Sequence, residues 1–376
     1  MISDKSQLEQ YFPRVAYDES VRKLLFSSPA YRLRKRRYGD GTCLRGIFSY
    51  AEMLWPPSPC FMDLEITTSC QLRCPHCART FMGIKSQHME LQIVERLLTM
   101  LPGLVQVTLV GMGEPLLYPW LETLLILLKE RRLRIGLVTN ALYLEGDNLK
   151  LLASGLVDHI TFSIDSLNPI TASVVRPGTD TARLKKNIRQ FVSLVNGIDA
   201  SPSLSIFTVV HRWTVNDLSD IASFASSVKI PVMVLSDLNF SENRRQSLLA
   251  SKWDLTKEKL LSQMRSIASR GIAIIGPNVL DELVPEQGWV RHIVRKPEDL
   301  LKSGHSVTRC LNPIKTMVVP VDSTVNFCNC SPDSMAGRLL ESEDVYDIWH
   351  DEAFREFRKR VYFGPIPSVC KACPRR

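Results

Sequence analysis

Three cysteines stand within eight residues in the stretch TTSCQLRCPHCART, Thr67 to Thr80: Cys70, Cys74 and Cys77, spaced Cys-x3-Cys-x2-Cys. On one loop that spacing lets three thiolates converge on one face of a [4Fe–4S] cube, each holding its own iron, since such clusters are ligated by cysteine sulfur. The fourth iron is then left open. An open coordination position marks a catalytic metal, whereas a structural one is closed by protein. The missing ligand would therefore be a substrate or cofactor. Zinc is the competing reading, but a structural zinc wants four ligands, usually in Cys-x2-Cys pairs, and this loop brings three with no near fourth. His76 lies between ligands and is badly placed to reach the same ion.

The chain carries ten cysteines in 376 residues. Five more gather late, at Cys310, Cys328, Cys330, Cys370 and Cys373, while Cys43 and Cys60 stand apart and read as buried structural thiols. The start, MISDKSQLEQYF, has no apolar core of signal-peptide length, which predicts a cytoplasmic protein with reduced thiols. Clustering there argues for metal rather than disulfides. The most apolar run, WLETLLILLKE, is broken by charges and too short to cross a bilayer, so no membrane partner is expected. A formal charge of +8 suits nucleic acid, a phosphorylated substrate or an acidic protein, and does not choose among them.

A regular alternation must position the early loop. FMDLEIT, VQVTLVG, RIGLVTN, DHITFSID, SLSIFTVV and IPVMVLS read as strands, and each is followed by a segment with helical spacing, the last being TKEKLLSQMRSIASRG. Six such units predict a parallel, right-handed array: an α/β fold, a partial (β/α)6 TIM-like barrel that stays open. IAIIG, Ile272 to Gly276, reads as one further strand. Ligands of such arrays bind at the carboxyl ends of the strands, where the cysteine loop falls. The expected organisation is an N-terminal extension over 1–57, the barrel over 58–276, a linker over 277–307 and a small α+β module over 308–376. In the extension, Arg32 to Arg37 places five basic residues in six, a solvated face or a binding patch. In the module, KTMVVPVDSTVNFCNC predicts a hairpin around Asp322-Ser323, and VYDIWHDEAFREFRKRV a helix.

With the cysteine loop placed after the first strand, residues from about Pro59 to Gly276 resemble the radical S-adenosylmethionine (SAM) superfamily, whose signature is this loop at this place. The resemblance implies that SAM chelates the open iron, takes one electron, and splits to methionine and a 5′-deoxyadenosyl radical that abstracts a substrate hydrogen. It also implies a set of SAM-binding positions. His76 precedes the last cysteine, where the family usually has an aromatic residue. Gly113 and Glu114, in LVGMGEPLLYP, match the Gly-Gly-Glu-Pro element that meets the SAM amino group. Thr139 and Asn140 end the third strand, Ser163 and Asp165 the fourth, and Arg176 in VVRPG is expected to reach the SAM carboxylate. Ordinary turn and capping chemistry remains open for the last five.

The late cysteines resemble the SPASM or twitch extension of the same superfamily, an iron–sulfur module. The resemblance implies one auxiliary [4Fe–4S] cluster on Cys310, Cys328, Cys370 and Cys373, with Cys328 and Cys330 able to exchange roles. A closed zinc site on these four is the alternative. Cys330 is also a candidate hydrogen donor to a substrate radical. The expected activity is hydrogen abstraction leading to dehydrogenation, epimerisation or cyclisation, an oxidoreductase- or epimerase-type enzyme. Residues 1–57 look short for a leader-peptide module, which favours a sugar-like or other small natural product; peptide modification is the alternative and RNA modification a weaker one, so no nucleic-acid partner is expected. The expected electron source is a flavodoxin or ferredoxin.

Overall fold

Apolar residues at every second position of short β-branched runs, then at every third or fourth position of longer ones, give strands and helices in the predicted order. The structure, a computed structural model, describes residues 56, 58–198, 201–210, 212–237, 253–275, 312–328, 335–342, 344–363, 365, 367 and 370. The expected linker and all but Pro56 of the expected extension lie outside these residues.

The barrel elements are β1 (Phe61–Leu64), α1 (Ala78–Phe81), α2 (Leu91–Met100), β2 (Gln106–Leu109), α3 (Leu121–Glu130), β3 (Arg134–Thr139), α4 (Gly146–Ala153), β4 (His159–Ser163), α5 (Pro169–Val175), α6 (Thr181–Val195), β5 (Ser203–Val210), α7 (Leu218–Ser227), β6 (Val232–Asp237), α8 (Trp253–Ala268) and β7 (Ala273–Ile275). Each of β1 to β6 pairs in parallel with the next strand in sequence, so β7 completes seven consecutive parallel strands. The further strand read in IAIIG is therefore real. The helix α5 was not legible as a separate element. It starts at an Asn-Pro pair: the Asn168 side chain accepts from the N–H groups of Ile170 and Thr171, and Pro169 occupies the first turn.

One face of the strands is apolar and packs under the helices. Val107, Leu109, Ile135, Leu137, Ile160, Phe162, Ile206 and Met233 are all buried in one core with Leu97, Leu124, Leu128, Ile188, Phe191 and Ile221. Phe162 of β4 meets Phe191 of α6 edge to face, with ring centroids 6.2 Å apart. The alternate residues are more polar. His159 and Thr161 of β4 hydrogen-bond Ser203 and Ser205 of β5 across the sheet.

The C-terminal module continues the same sheet. After α9 (Asn312–Lys315), β8 (Thr316–Val319) lies parallel to β1 on its free edge, in register from Phe61↔Thr316 to Leu64↔Val319. β9 (Thr324–Asn326) returns antiparallel and β10 (Met335–Arg338) follows, giving the order β10-β9-β8-β1-β2-β3-β4-β5-β6-β7. The sheet is open, with β10 and β7 at its edges. The expected hairpin is present: Ser323 adopts φ +61, and the Asp322 carboxylate accepts from the backbone N–H and the hydroxyl of Thr324.

The single helix expected from Val345 onward is two, α10 (Val345–Trp349) and α11 (Glu352–Phe363). The break has a cause in the sequence. Asp351 accepts from the N–H of Phe354 at 2.6 Å and so starts a new helix instead of continuing the old one. Arg358 then ties the pieces together. Fully buried, it donates to the carbonyls of Pro313 and Trp349 and lies 4.4 Å from the ring centroids of both Trp349 and Phe354.

Candidate active site at the barrel mouth

The cysteine loop leaves β1 and is held from several sides. Thr67 bridges to His88, and the Thr68 hydroxyl donates to the Lys85 carbonyl at 2.7 Å. Arg73 N–H donates to the Pro177 carbonyl, and the Arg79 guanidinium to that of Leu72. Cys77 caps α1, and its own N–H returns to the Cys74 carbonyl at 3.0 Å. Cys74 is 8% exposed, whereas Cys70 and Cys77 are half-buried.

The ends of β1, β2 and β3 form one wall. The Glu65 carboxylate, buried just past β1, accepts from Met112 N–H at 2.5 Å and from Val321 N–H at 3.3 Å, which joins the loop after β2 to the C-terminal hairpin. Burial pushes its pKa up, partly offset by those two hydrogen bonds. A side chain at Gly113 would put its Cβ 2.1 Å from the Thr67 carbonyl oxygen, so only glycine lets this loop lie against the cysteine loop. Glu114 N–H then donates to the Ser69 carbonyl at 2.8 Å.

The Glu114 side chain points into the protein. It accepts from the Thr139 hydroxyl at 2.6 Å, from Asn140 N–H at 2.8 Å and from Leu116 N–H at 3.1 Å. Burial drives its pKa up against these bonds. Glu114 and Thr139 are therefore positioning residues in this geometry. The Glu114 carboxylate thereby ties the loop after β2 to the end of β3. Asn140 does reach the loop: its Oδ1 accepts from Gln71 Nε2 at 2.8 Å, and its Nδ2 lies 4.0 Å from Cys70 Sγ. The next residue, Ala141, is left-handed at φ +61, a conformation that costs a non-glycine residue about 1 kcal/mol or more. Thr139 Oγ1 accepts its N–H and Asn187 Nδ2 donates to its carbonyl, so the strain is held in place.

The end of β4 forms the opposite wall. Asp165 is fully buried, with Arg176 Nε at 2.7 Å and His76 Nε2 at 3.4 Å from one oxygen and Val209 N–H donating to the other. Burial alone would raise its pKa, but Arg176 and His76 outweigh that and hold it well below the carboxylate range. Arg176 also donates to the Ser163 carbonyl. Arg176 is paired with Asp165, and His76 is turned to the same carboxylate. Both follow from the charge of Asp165, which neither residue can ignore at this depth.

The donor set suits a cluster. The Cys74 thiol is pushed up to about 12, by burial first and then by Asp165, Cys77 and Cys70, with Arg176 pulling the other way. Cys70 is raised for the same first reason, burial. Thiols kept neutral by burial and by one another ionise when a cationic iron centre binds them. Among the described residues, no three or more His, Cys, Asp and Glu side chains gather tightly enough to hold a single metal ion.

In the module, Cys328 is buried and Cys370 half-buried. Cys370 and Phe327, the neighbour of Cys328, pack on the same pair of α11 residues, Phe357 and Val361. Cys310, Cys330 and Cys373 lie outside the described residues. Glu65, Gln71 and Gly111, where a Cβ would lie 2.4 Å from the Glu65 side chain, were not anticipated; the available signal was an acid and a glycine beside strand ends and an amide beside Cys70. No helix among the described residues is long and apolar enough to cross a membrane.

A seven-stranded parallel array with a three-thiol loop at its carboxyl ends is an architecture suited to an iron–sulfur enzyme. Comparison with known proteins agrees. The model of the radical SAM superfamily matches residues 64–225, and one for an iron–sulfur cluster-binding domain, SPASM, matches 310–374. An S-adenosylmethionine-dependent nucleotide dehydratase of Flammeovirga pacifica is 32% identical over 203 residues, covering 51% of this chain and 68% of its own length. A PqqA peptide cyclase of Xanthomonas campestris pv. campestris is 22% identical over 329 residues, 85% of this chain and 80% of its own. A tungsten-containing aldehyde ferredoxin oxidoreductase cofactor-modifying protein of Pyrococcus furiosus is 24% identical over 221 residues, and the chain spans 61% of that relative's length. In structure, Streptococcus suis SuiB bound to S-adenosylmethionine superposes with a TM-score of 0.62 over 98% of this chain and 86% of that one; at 17% identity the likeness is one of fold.

The chain belongs to the radical SAM superfamily. It is an enzyme of radical chemistry that uses SAM and a [4Fe–4S] cluster, and it carries a SPASM-type C-terminal iron–sulfur domain.

Proposed function

We propose that Cys70, Cys74 and Cys77 hold the SAM-binding cluster, and that the enzyme abstracts a hydrogen from a peptide substrate. When bound, the cluster supplies the electron that splits SAM into methionine and a 5′-deoxyadenosyl radical. The chain's own residues do the rest. Gly113 lets backbone approach the loop closely, Asn140 and Gln71 orient Cys70, and the Asp165–Arg176–His76 group fixes the loop from the far side while Arg176 sets positive charge near Cys74. Ser163 lends its carbonyl to that group. Cys310, Cys370, Cys373 and Cys328 (or Cys330 in its place) would hold an auxiliary iron–sulfur group, which would supply a one-electron acceptor for the substrate radical.

The observation that carries the reading is the burial of Cys74 between Cys70, Cys77 and the Arg176–Asp165 pair at the carboxyl ends of the strands. Support for a peptide comes from extent: the likeness to a PqqA peptide cyclase runs through barrel and module together, over 85% of the chain. SuiB, the fold neighbour, has also been solved with its precursor peptide SuiA. A second reading, a nucleotide- or sugar-like small substrate, is favoured by the 32% identity to the nucleotide dehydratase, which covers 51% of the chain. The electron donor is a flavodoxin or ferredoxin, in a reducing, cytoplasmic compartment.

Anaerobic reconstitution should give about eight irons per chain if two clusters form, and adding SAM should shift the spectrum of one of them. Co-expression with candidate precursor peptides, followed by mass spectrometry, should show hydrogen loss or a crosslink in one peptide. Conversion of a nucleotide or sugar instead, with every peptide unchanged, would decide for the second reading.

A further inference from the structure

The residues just after the cysteine loop expose apolar surface. Phe81 is 36% exposed and Met82 45%, on and just past the end of α1. They are joined to the loop directly: Phe81 N–H donates to the Cys77 carbonyl at 3.3 Å, and Met82 N–H to that of Ala78 at 2.9 Å. From Arg73 to Gln87 the chain carries Arg73, Arg79 and Lys85 and no acidic residue. Arg73 and Lys85 are exposed. Exposed apolar and basic residues thus lie one hydrogen bond from the backbone carbonyl of Cys77, a few covalent bonds from its thiol. On its other side the loop faces the strand ends, where Asn140 and Asp165 stand against it.

We infer that Phe81, Met82, Lys85 and Arg73 form the docking surface for an acidic one-electron carrier protein of the flavodoxin kind. The inference rests on the placement of the SAM-binding cluster at Cys70, Cys74 and Cys77 proposed above. Three physical points carry it. Electron transfer needs a short path, and the path from Phe81 to Cys77 is a single hydrogen bond and a few covalent bonds. Redox encounters use small interfaces, below about 1,200 Å², so a patch of a few residues is enough. The exposed charges of Arg73 and Lys85 favour an acidic partner and speed its approach. In the step itself, the reduced carrier loses one electron and the cluster gains it; no atom or proton crosses the interface.

The test measures binding and turnover separately. Oxidised flavodoxin is titrated against the reconstituted enzyme by interferometry, in wild type, in a Phe81→Ser/Lys85→Glu double variant, and in Ile170→Ser, which changes a 78%-exposed apolar residue on α5. The double variant should weaken flavodoxin binding about tenfold or more, and wild-type affinity should fall steeply with salt. Ile170→Ser should bind as wild type does. Production of 5′-deoxyadenosine driven by dithionite, a small reductant that needs no docking, should be the same in all three. Unchanged flavodoxin affinity in the double variant, equal weakening by Ile170→Ser, or a loss of dithionite-driven cleavage in the double variant overturns the assignment. Absence of dithionite-driven cleavage in the wild type fails the cluster reading itself, so the two failures are told apart.

Discussion

On the β4 side of the mouth a buried carboxylate, Asp165, is held ionised by Arg176 and His76. On the β1–β3 side two buried carboxylates, Glu65 and Glu114, receive backbone N–H groups and a hydroxyl. Both walls hold the same loop, and their acids are driven in opposite directions: Asp165 below its ordinary range, Glu65 and Glu114 above theirs. The difference shows what each wall can do. The charged wall places a guanidinium near Cys74 that pulls its thiol down, while Asp165 beside it pushes the other way. The other fixes backbone geometry, and its Glu114 adds to the rise of the Cys70 thiol.

If both walls serve the loop, the largest effect comes from the loop itself. Cys74→Ala should abolish 5′-deoxyadenosine formation under anaerobic reducing conditions, read by chromatography, with the fold kept. Next is the charged wall. Asp165→Asn leaves a buried guanidinium without its counter-charge and should cost about 3–5 kcal/mol in urea melts. A loss below about 1 kcal/mol would mean that the pair is not what holds that side. The backbone wall comes third. Gly113→Ala forces a Cβ against the Thr67 carbonyl and should cost about 1–3 kcal/mol, with a weaker apparent affinity for SAM.

The smallest effect, and the sharpest for the comparison, is in pH. Asp165 is depressed, so its contribution to stability is present above its ordinary 3.8 and is lost as pH falls below that. Glu114 is raised, so its contribution is present below 4.5 and fades as pH rises through its folded value. The stability gap between wild type and Asp165→Asn should therefore close towards low pH, and that between wild type and Glu114→Gln towards neutral pH. Urea melts between about pH 3 and 7 would show the two trends, and parallel trends would erase the distinction between the walls.

Much of this architecture could be read from local pattern. The strands from Phe61 to Asp237 and the loop of Cys70, Cys74 and Cys77 announce themselves through alternation and spacing, which are local properties. What stayed hidden is non-local. Glu65 hydrogen-bonds Met112 and Val321, 47 and 256 positions away, and nothing near it in sequence shows that. His76 and Arg176 were legible as mouth residues, but their common partner, Asp165, depends on three segments meeting in depth. The split between α10 and α11 was locally encoded in Asp351, yet the strong helical spacing on both sides conceals it.

The pairing of β8 with β1 has a consequence for how the molecule is made. The first strand of the sheet emerges early from the ribosome, while its neighbour on one side is encoded some 255 positions later. At about 5–20 residues per second, that edge waits on the order of 10–50 s with its amides and carbonyls unsheltered. An uncovered strand is a template for the wrong partner, so the nascent protein carries its greatest hazard of misassembly at the segment that leads into its chemistry.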